Sequence, residues 1–183
     1  MIKEENSYCQ LCHQKLPISM EAPTLSSLLT RKIINYNHSG RMGQKIKYLI
    51  VHDTGNARSG AGASAHQKYF GSGNKNASAH YLVDSKEIIQ IVDDSLASWH
   101  CGDGHGKKGI TNQNSIGIEL CINRDGKFCQ TLQHAQILIR HLMKTHGLKK
   151  DQVLRHYDAS GKICPRTMSD DNWSKWKEFK EGI

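Results

Sequence analysis

Residues 152–166, QVLRHYDASGKICPR, set an imidazole, an ammonium and a thiol within one short stretch, at His156, Lys162 and Cys164. An apolar pair, Val153 and Leu154, leads into His156. The segment beyond His156 is too rich in Ser, Gly and Pro for a helix or a long strand, so it reads as a loop. A histidine delivered by a strand and a cysteine carried on the loop behind it can converge on one metal ion. Two ligands do not complete a zinc site, since catalytic sites use three protein groups and leave one position open. A fold that uses this stretch chemically must therefore bring a further ligand to it from elsewhere. The plain alternative is a surface histidine and a buried thiol that never meet.

The best candidate for that ligand is His52 in KIKYLIVHDTGN. The apolar run 48–51 reads as a buried strand that hands His52 to a Thr-Gly-Asn turn at its carboxyl end. Open sheets place their chemistry at such strand ends. A second strand is legible in NSIGIELCI, where Ile116, Ile118 and Leu120 share one face while Ser115, Gly117, Glu119 and Cys121 share the other. Glu119 thus points away from the apolar face, either onto a cleft floor or toward a surface ion pair.

Between these strands, GAGASAHQKYF reads as a helix entered through a glycine-rich loop, with Ala65, Tyr69 and Phe70 available for packing. SAHYLVD and KEIIQIV read as a β-hairpin carrying His80. Trp99 precedes the glycine-rich loop GDGHGKKG, a plausible rim on which the indole stacks against sugar or peptide. The strongest helix spans residues 131–146. Thr131 caps it, Leu132, Ala135, Leu138, Ile139, Leu142 and Met143 form its buried stripe, and Gly147 ends it. Its His134, His141 and His146 are expected on solvent or at helix ends. Trp173, Trp176 and Phe179 recur every three residues, as on one face of a C-terminal helix packed against a sheet.

The first 44 residues read as an extension before a domain at 45–183. Cys9-Gln-Leu-Cys12-His13 is half of a zinc knuckle with no second half, and reads as a cysteine-bearing tail or a weak metal or redox site. Residues 23–47 hold Arg31, Lys32, Arg41, Lys45 and Lys47 and no acid. There TLSSLLTRKIIN has the spacing of a short amphipathic helix, which either docks on its own domain or lies on an anionic wall or membrane surface. The formal net charge of +8 favours anionic partners. No helix-turn-helix or RNA-binding motif directs that charge to nucleic acid, and none is expected as a partner. No secretory signal and no membrane-length apolar run are found, so a cytoplasmic, reduced chain is expected despite its 6 cysteines.

The blocks VHDTGN, SAHYLVD, ASWHCG, NSIGIEL and HYDASGKICP, in that order across about residues 45–180, resemble the zinc-dependent N-acetylmuramoyl-L-alanine amidases of type 2. That family includes phage endolysins and is similar to the peptidoglycan recognition proteins. The resemblance implies an α/β fold, with a mixed central sheet of five or six strands flanked by helices and a zinc cleft at one edge. It implies zinc held by His52, His156 and Cys164, with Glu119 as acid/base and Lys162 as a catalytic cation. It puts His80, Trp99 and Asn114 along the substrate cleft. Some phage members use a tyrosine just before the histidine of the second block; here Ala79 stands there, which leaves the role to Glu119. The implied reaction is cleavage of the amide between N-acetylmuramic acid and L-alanine in peptidoglycan, as in an endolysin acting on the wall after release from the cytoplasm. A bacterial autolysin would look the same. A different class, a peptidoglycan-binding protein without catalysis, would be expected to lack the cysteine ligand.

Overall fold

The structure, a computed structural model, describes residues 22–183. Cys9, Cys12 and His13 lie outside the described residues. At the centre, β3 (Tyr48–Asp53) and β7 (Ser115–Leu120) run parallel, in the register that sets His52 beside Glu119. The free flank of β3 takes β8 (Val153–Arg155) and that of β7 takes β4 (Tyr81–Val83), both parallel. A hairpin turns β4 into antiparallel β5 (Ile88–Gln90), and β1 (Leu29–Arg31) closes the sheet parallel to β5. The order β1-β5-β4-β7-β3-β8 is the six-stranded mixed sheet expected; β2 (His38–Gly40) and β6 (Leu96–Ser98) form a separate antiparallel pair.

Both faces of the sheet are covered, which is why its strands read as near-continuous apolar runs. On one face Leu49, Val51, Ile116, Ile118 and Leu120 pack under α3 (Phe128–His146) and α5 (Asp170–Glu181). From α3 this core takes Leu132, Ala135, Leu138, Ile139 and Leu142; from α5 it takes Trp176 and Phe179. Gly147 ends α3 at φ 65°, a left-handed turn that glycine adopts without strain. The helix begins three residues before Thr131, which is itself buried rather than capping. His134 is buried as well, with its Nδ1 2.8 Å from the Asp84 carbonyl oxygen, so it is not the solvent-facing residue expected. On the opposite face α2 (Ala63–Gly71) covers Leu82, Ile89 and Ile91. Asp84 joins hairpin to helix: Oδ1 accepts from the Lys86 and Glu87 amides in the turn, and Oδ2 accepts from Ala63 N–H at the start of α2.

The N-terminal stretch departs from expectation. A single helical turn, α1 (Leu25–Leu28), boxed by Thr24 and Ser27, gives way at once to β1. Leu28 and Ile34 are buried and Lys32 N–H donates to Gln90 O. The segment completes the sheet edge instead of lying as an amphipathic helix, because β5 offers a row of backbone groups that only another strand satisfies. Leu29–Arg31 thus pair into the sheet, with Leu28 and Ile34 buried on either side of them. Arg41 is 8% exposed: its guanidinium donates to the carbonyls of Asp94, Gln113 and Ser115. It is not available to a wall polymer. Arg31 and Lys32 face solvent beside Asp93 and Glu87, while Lys45 and Lys47 are exposed. Among the described residues no helix is long and apolar enough to cross a membrane. Cys101, Cys121 and Cys164 are free thiols.

Candidate active site

Parallel strands align their carboxyl ends, and this brings together residues far apart in the chain. His52 is the fifth residue of β3, Glu119 is its neighbour on β7, and His156 is the first residue beyond β8. The side chains of Ser115 and Glu119 lie on the face opposite the α3 core, together with that of His52, and Gly117 between them leaves that face open. His156 opens α4 (His156–Ser160), a single turn that Gly161 closes at φ 89°. The chain then doubles back: Tyr157 N–H donates to Cys164 O, and Asp53 Oδ2 accepts from both the amide and the hydroxyl of Thr167. These bonds pin the loop that carries Cys164 to the end of β3.

One ligand atom each from His52, His156 and Cys164 lies within 4.8 Å of the others, and all three residues are buried. The two Nδ1 atoms are 3.1 Å apart, and Cys164 Sγ is 3.8 Å from His52 Nδ1. The outer nitrogens are engaged. His156 Nε2 is 2.7 Å from Asp103 Oδ1, and His52 Nε2 is 3.0 Å from His100 Nδ1. A carboxylate accepts only, so His156 Nε2 carries a proton, and Nδ1 is the nitrogen turned toward His52. Burial, reinforced by His156 and Lys162, depresses the basicity of His52 far below the ordinary imidazole range. Burial pushes the Cys164 thiol up to about 12, with the Glu119 charge adding to the rise. Imidazole lone pairs and a thiol converging in a site that disfavours both proton and free thiolate are the donor set of a soft divalent cation such as zinc.

Glu119 is half-buried, and its Oε2 has no exposed surface and no hydrogen-bond partner. Burial, with Asp53 adding to it, raises its carboxyl to about 8, against the opposing charge of Lys162. Lys162 is exposed on the loop before Cys164, and its charge is felt at His52, Glu119 and Cys164 alike. Glu119 also walls a groove of about 330 Å³ lined by Thr54, Asn56, Ala61, Ala65, His66, Tyr69 and Phe70. Thr54 Oγ1, in the lining of that groove, is likewise buried without a partner.

Of the three residues expected along the cleft, His80 and Asn114 are buried and Trp99 is half-buried. His80 is fully buried: Nδ1 accepts from Gly117 N–H, which leaves Nε2–H to donate to Leu96 O, and burial lowers its pKa to about 4. It clips β7 to β6 and offers nothing to substrate. Asn114 is 6% exposed; its side chain accepts from Thr111 N–H and donates to Gly109 O, closing the turn that starts β7. Trp99 is half-buried, with Nε1–H donating to Ser39 Oγ. Tyr81 is buried in the core under α3, with its hydroxyl donating to Asp94. The sequence reading missed His100, Asp103 and Asp53. Only the crowding of His100 and Cys101 just before a glycine-rich loop that itself carries Asp103 hinted at the first two.

The N-acetylmuramoyl-L-alanine amidase family profile matches residues 42–167. The amidase XlyA of Bacillus subtilis is 41% identical over 136 residues, 74% of this chain and 43% of XlyA. CwlH of the same organism is 40% identical over 136 residues, 74% of this chain and 52% of CwlH. This chain thus spans about half the length of these relatives. Among solved structures, the catalytic domain of XlyA superposes with a TM-score of 0.75 at 37% identity, covering 85% of this chain and 98% of that one. A mutant endolysin from Bacillus subtilis gives the same TM-score, 0.75, at 39% identity, covering 85% of this chain and 97% of that one. The matched span holds all three converging ligands and Glu119, and on that span the chain belongs to the N-acetylmuramoyl-L-alanine amidase family.

Proposed function

We propose that this domain hydrolyses the amide between N-acetylmuramic acid and L-alanine in peptidoglycan, as a phage-type endolysin, with zinc held by His52, His156 and Cys164. The observation that carries this reading is the convergence of those three ligand atoms beside a carboxyl, Glu119, whose inner oxygen has no partner in the protein. The names of the related amidases and endolysins supply the bond and the setting.

Zinc bound there supplies Lewis-acid polarisation of the scissile carbonyl and acidifies water. The chain's own groups do the rest. Glu119, raised toward neutrality by burial, is matched to take a proton from the attacking water and return it to the leaving amine. The groove beyond Glu119, apolar at Ala61, Tyr69 and Phe70, holds the peptide side of the substrate against it. Lys162 places a positive charge where the carbonyl oxygen becomes negative. Removing one such donor costs about 10²- to 10³-fold in turnover, so Lys162→Ala is expected to lower kcat by that order with little change in KM. A pure rise in KM would reject the role.

Digestion of purified peptidoglycan tests the reaction. New amino-terminal alanine without new reducing sugar ends, abolished by a zinc chelator, is the expected result. A protein that sediments with the wall yet releases neither product is instead a binding protein.

A further inference from the structure

We propose that His100 is a positioning residue for the metal centre: it accepts a hydrogen bond from His52 Nε2–H and so keeps the Nδ1 lone pair of His52 turned toward His156 and Cys164. This inference rests on the metal reading above but concerns a proton whose place can be observed without metal.

The polarity of the relay is set at its far end. Ser115 Oγ–H donates to Thr111 O at 2.5 Å, so its single proton is committed. The same hydroxyl is 3.0 Å from His100 Nε2 and can only accept there, which makes His100 Nε2 the protonated nitrogen. A neutral imidazole then leaves His100 Nδ1 bare, and that atom faces His52 Nε2 at 3.0 Å. His52 must therefore carry its proton on Nε2. The direction imposed by one backbone carbonyl is passed through a hydroxyl and one imidazole to the ligand. Metal-binding histidines are commonly oriented by the partner of their outer nitrogen. Here the two ligands are held in different ways: His156 by the carboxylate of Asp103, and His52 by an uncharged relay.

The geometry is built to hold the relay. Asn112 Oδ1 accepts from His100 N–H at 3.1 Å and from Cys101 N–H at 2.9 Å, fixing the backbone beneath the ring. The ring lies over Gly117, where an added Cβ would fall 2.5 Å from His100 Cγ. The sheet thus leaves a side-chain-sized gap at the one strand position where the imidazole must sit.

Two measurements on the full chain test this. Ring nitrogen–proton correlation NMR, zinc-free and zinc-loaded, is expected to show His52 protonated at Nε2 in both states. A zinc-free protein with His52 protonated at Nδ1 would overturn the proposal. Zinc affinity, by competition against a chelator, is expected to fall about 10- to 100-fold in His100→Leu. His100→Asn, whose amide oxygen replaces Nδ1 as acceptor, is expected to keep most of that affinity. His100→Leu that binds zinc as tightly as the wild type rejects positioning, even if its unfolding temperature drops. If the wild type takes up no zinc, the metal reading fails, and the NMR result still decides the tautomer.

Discussion

At Glu119 a carboxyl leaves water without gaining a partner for Oε2, and the anion bears the cost. The sign of the resulting pH dependence is fixed. Its folded pKa, about 8, exceeds the ordinary 4.5, so between those values the folded state binds more protons than the unfolded one. In chelated protein Glu119 therefore stabilises the fold below about pH 4.5, and this is lost as pH rises through about 8. Urea unfolding of chelated wild type and Glu119→Gln across that window should show wild-type stability falling relative to the variant; parallel curves would contradict the shift. At this scale the sequence was informative about ligands and poor about their supports. His52 and His156 each follow an apolar run at a strand end, a local signal, and Cys164 sits in a motif block. His80, Asn114 and Arg41 carry equally suggestive chemistry in sequence, yet each spends its polar atoms on backbone groups inside the protein. For His80 and Arg41 that fate depends on contacts tens of residues away, whereas Asn114 is claimed by its own turn.

Among the elements, the loop from α4 back to the 3₁₀ turn at Arg166–Met168 matters most, because it has no regular pairing of its own and carries Lys162 and Cys164. Its anchor is Asp53, which accepts two hydrogen bonds from Thr167. Charge-assisted bonds of this kind are worth about 1.5–3 kcal/mol each. Asp53→Ala is expected to lower stability by about that amount and to weaken zinc binding through a displaced Cys164; unchanged zinc affinity in a chelator competition would show that the loop is held otherwise. The long helix α3 was readable from periodicity, and so were the faces of β7, because burial on one side repeats every three to four residues or every two. The segment 25–34 was not. Leu25, Leu28, Leu29 and Ile33 have helical spacing, but the run is too short to sustain a helix, and the unpaired edge of β5 takes it as β1.

For the molecule as a whole, the parallel β8-β3-β7 core gathers residues 52, 119 and 156 at one end of the sheet. The N-terminal segment is fastened behind it. Arg41 reaches from β2's end to three carbonyls, among them that of Ser115 on the central strand. Leaving those acceptors unpaired and a buried cation absent makes Arg41→Met costly: about 3 kcal/mol, or a drop of roughly 6–12 °C in the unfolding midpoint for a domain of this size. A midpoint within about 2 °C of wild type, by calorimetry, would mean that residues 25–44 are dispensable to the fold. The mixed α/β architecture was foreseeable from motif order. The edge strand β1 was not, since it depends on pairing with β5 some sixty residues later.

The most direct test of the centre compares zinc content and peptidoglycan hydrolysis in three proteins: wild type, Cys164→Ser and Glu119→Ala. One zinc per chain is expected in the wild type and in Glu119→Ala, with turnover lost in the latter by about 10²- to 10⁴-fold. Cys164→Ser is expected to lose both metal and activity. A Cys164→Ser protein that keeps its zinc and its turnover, or a Glu119→Ala protein as active as the wild type, would contradict the assignment of this site.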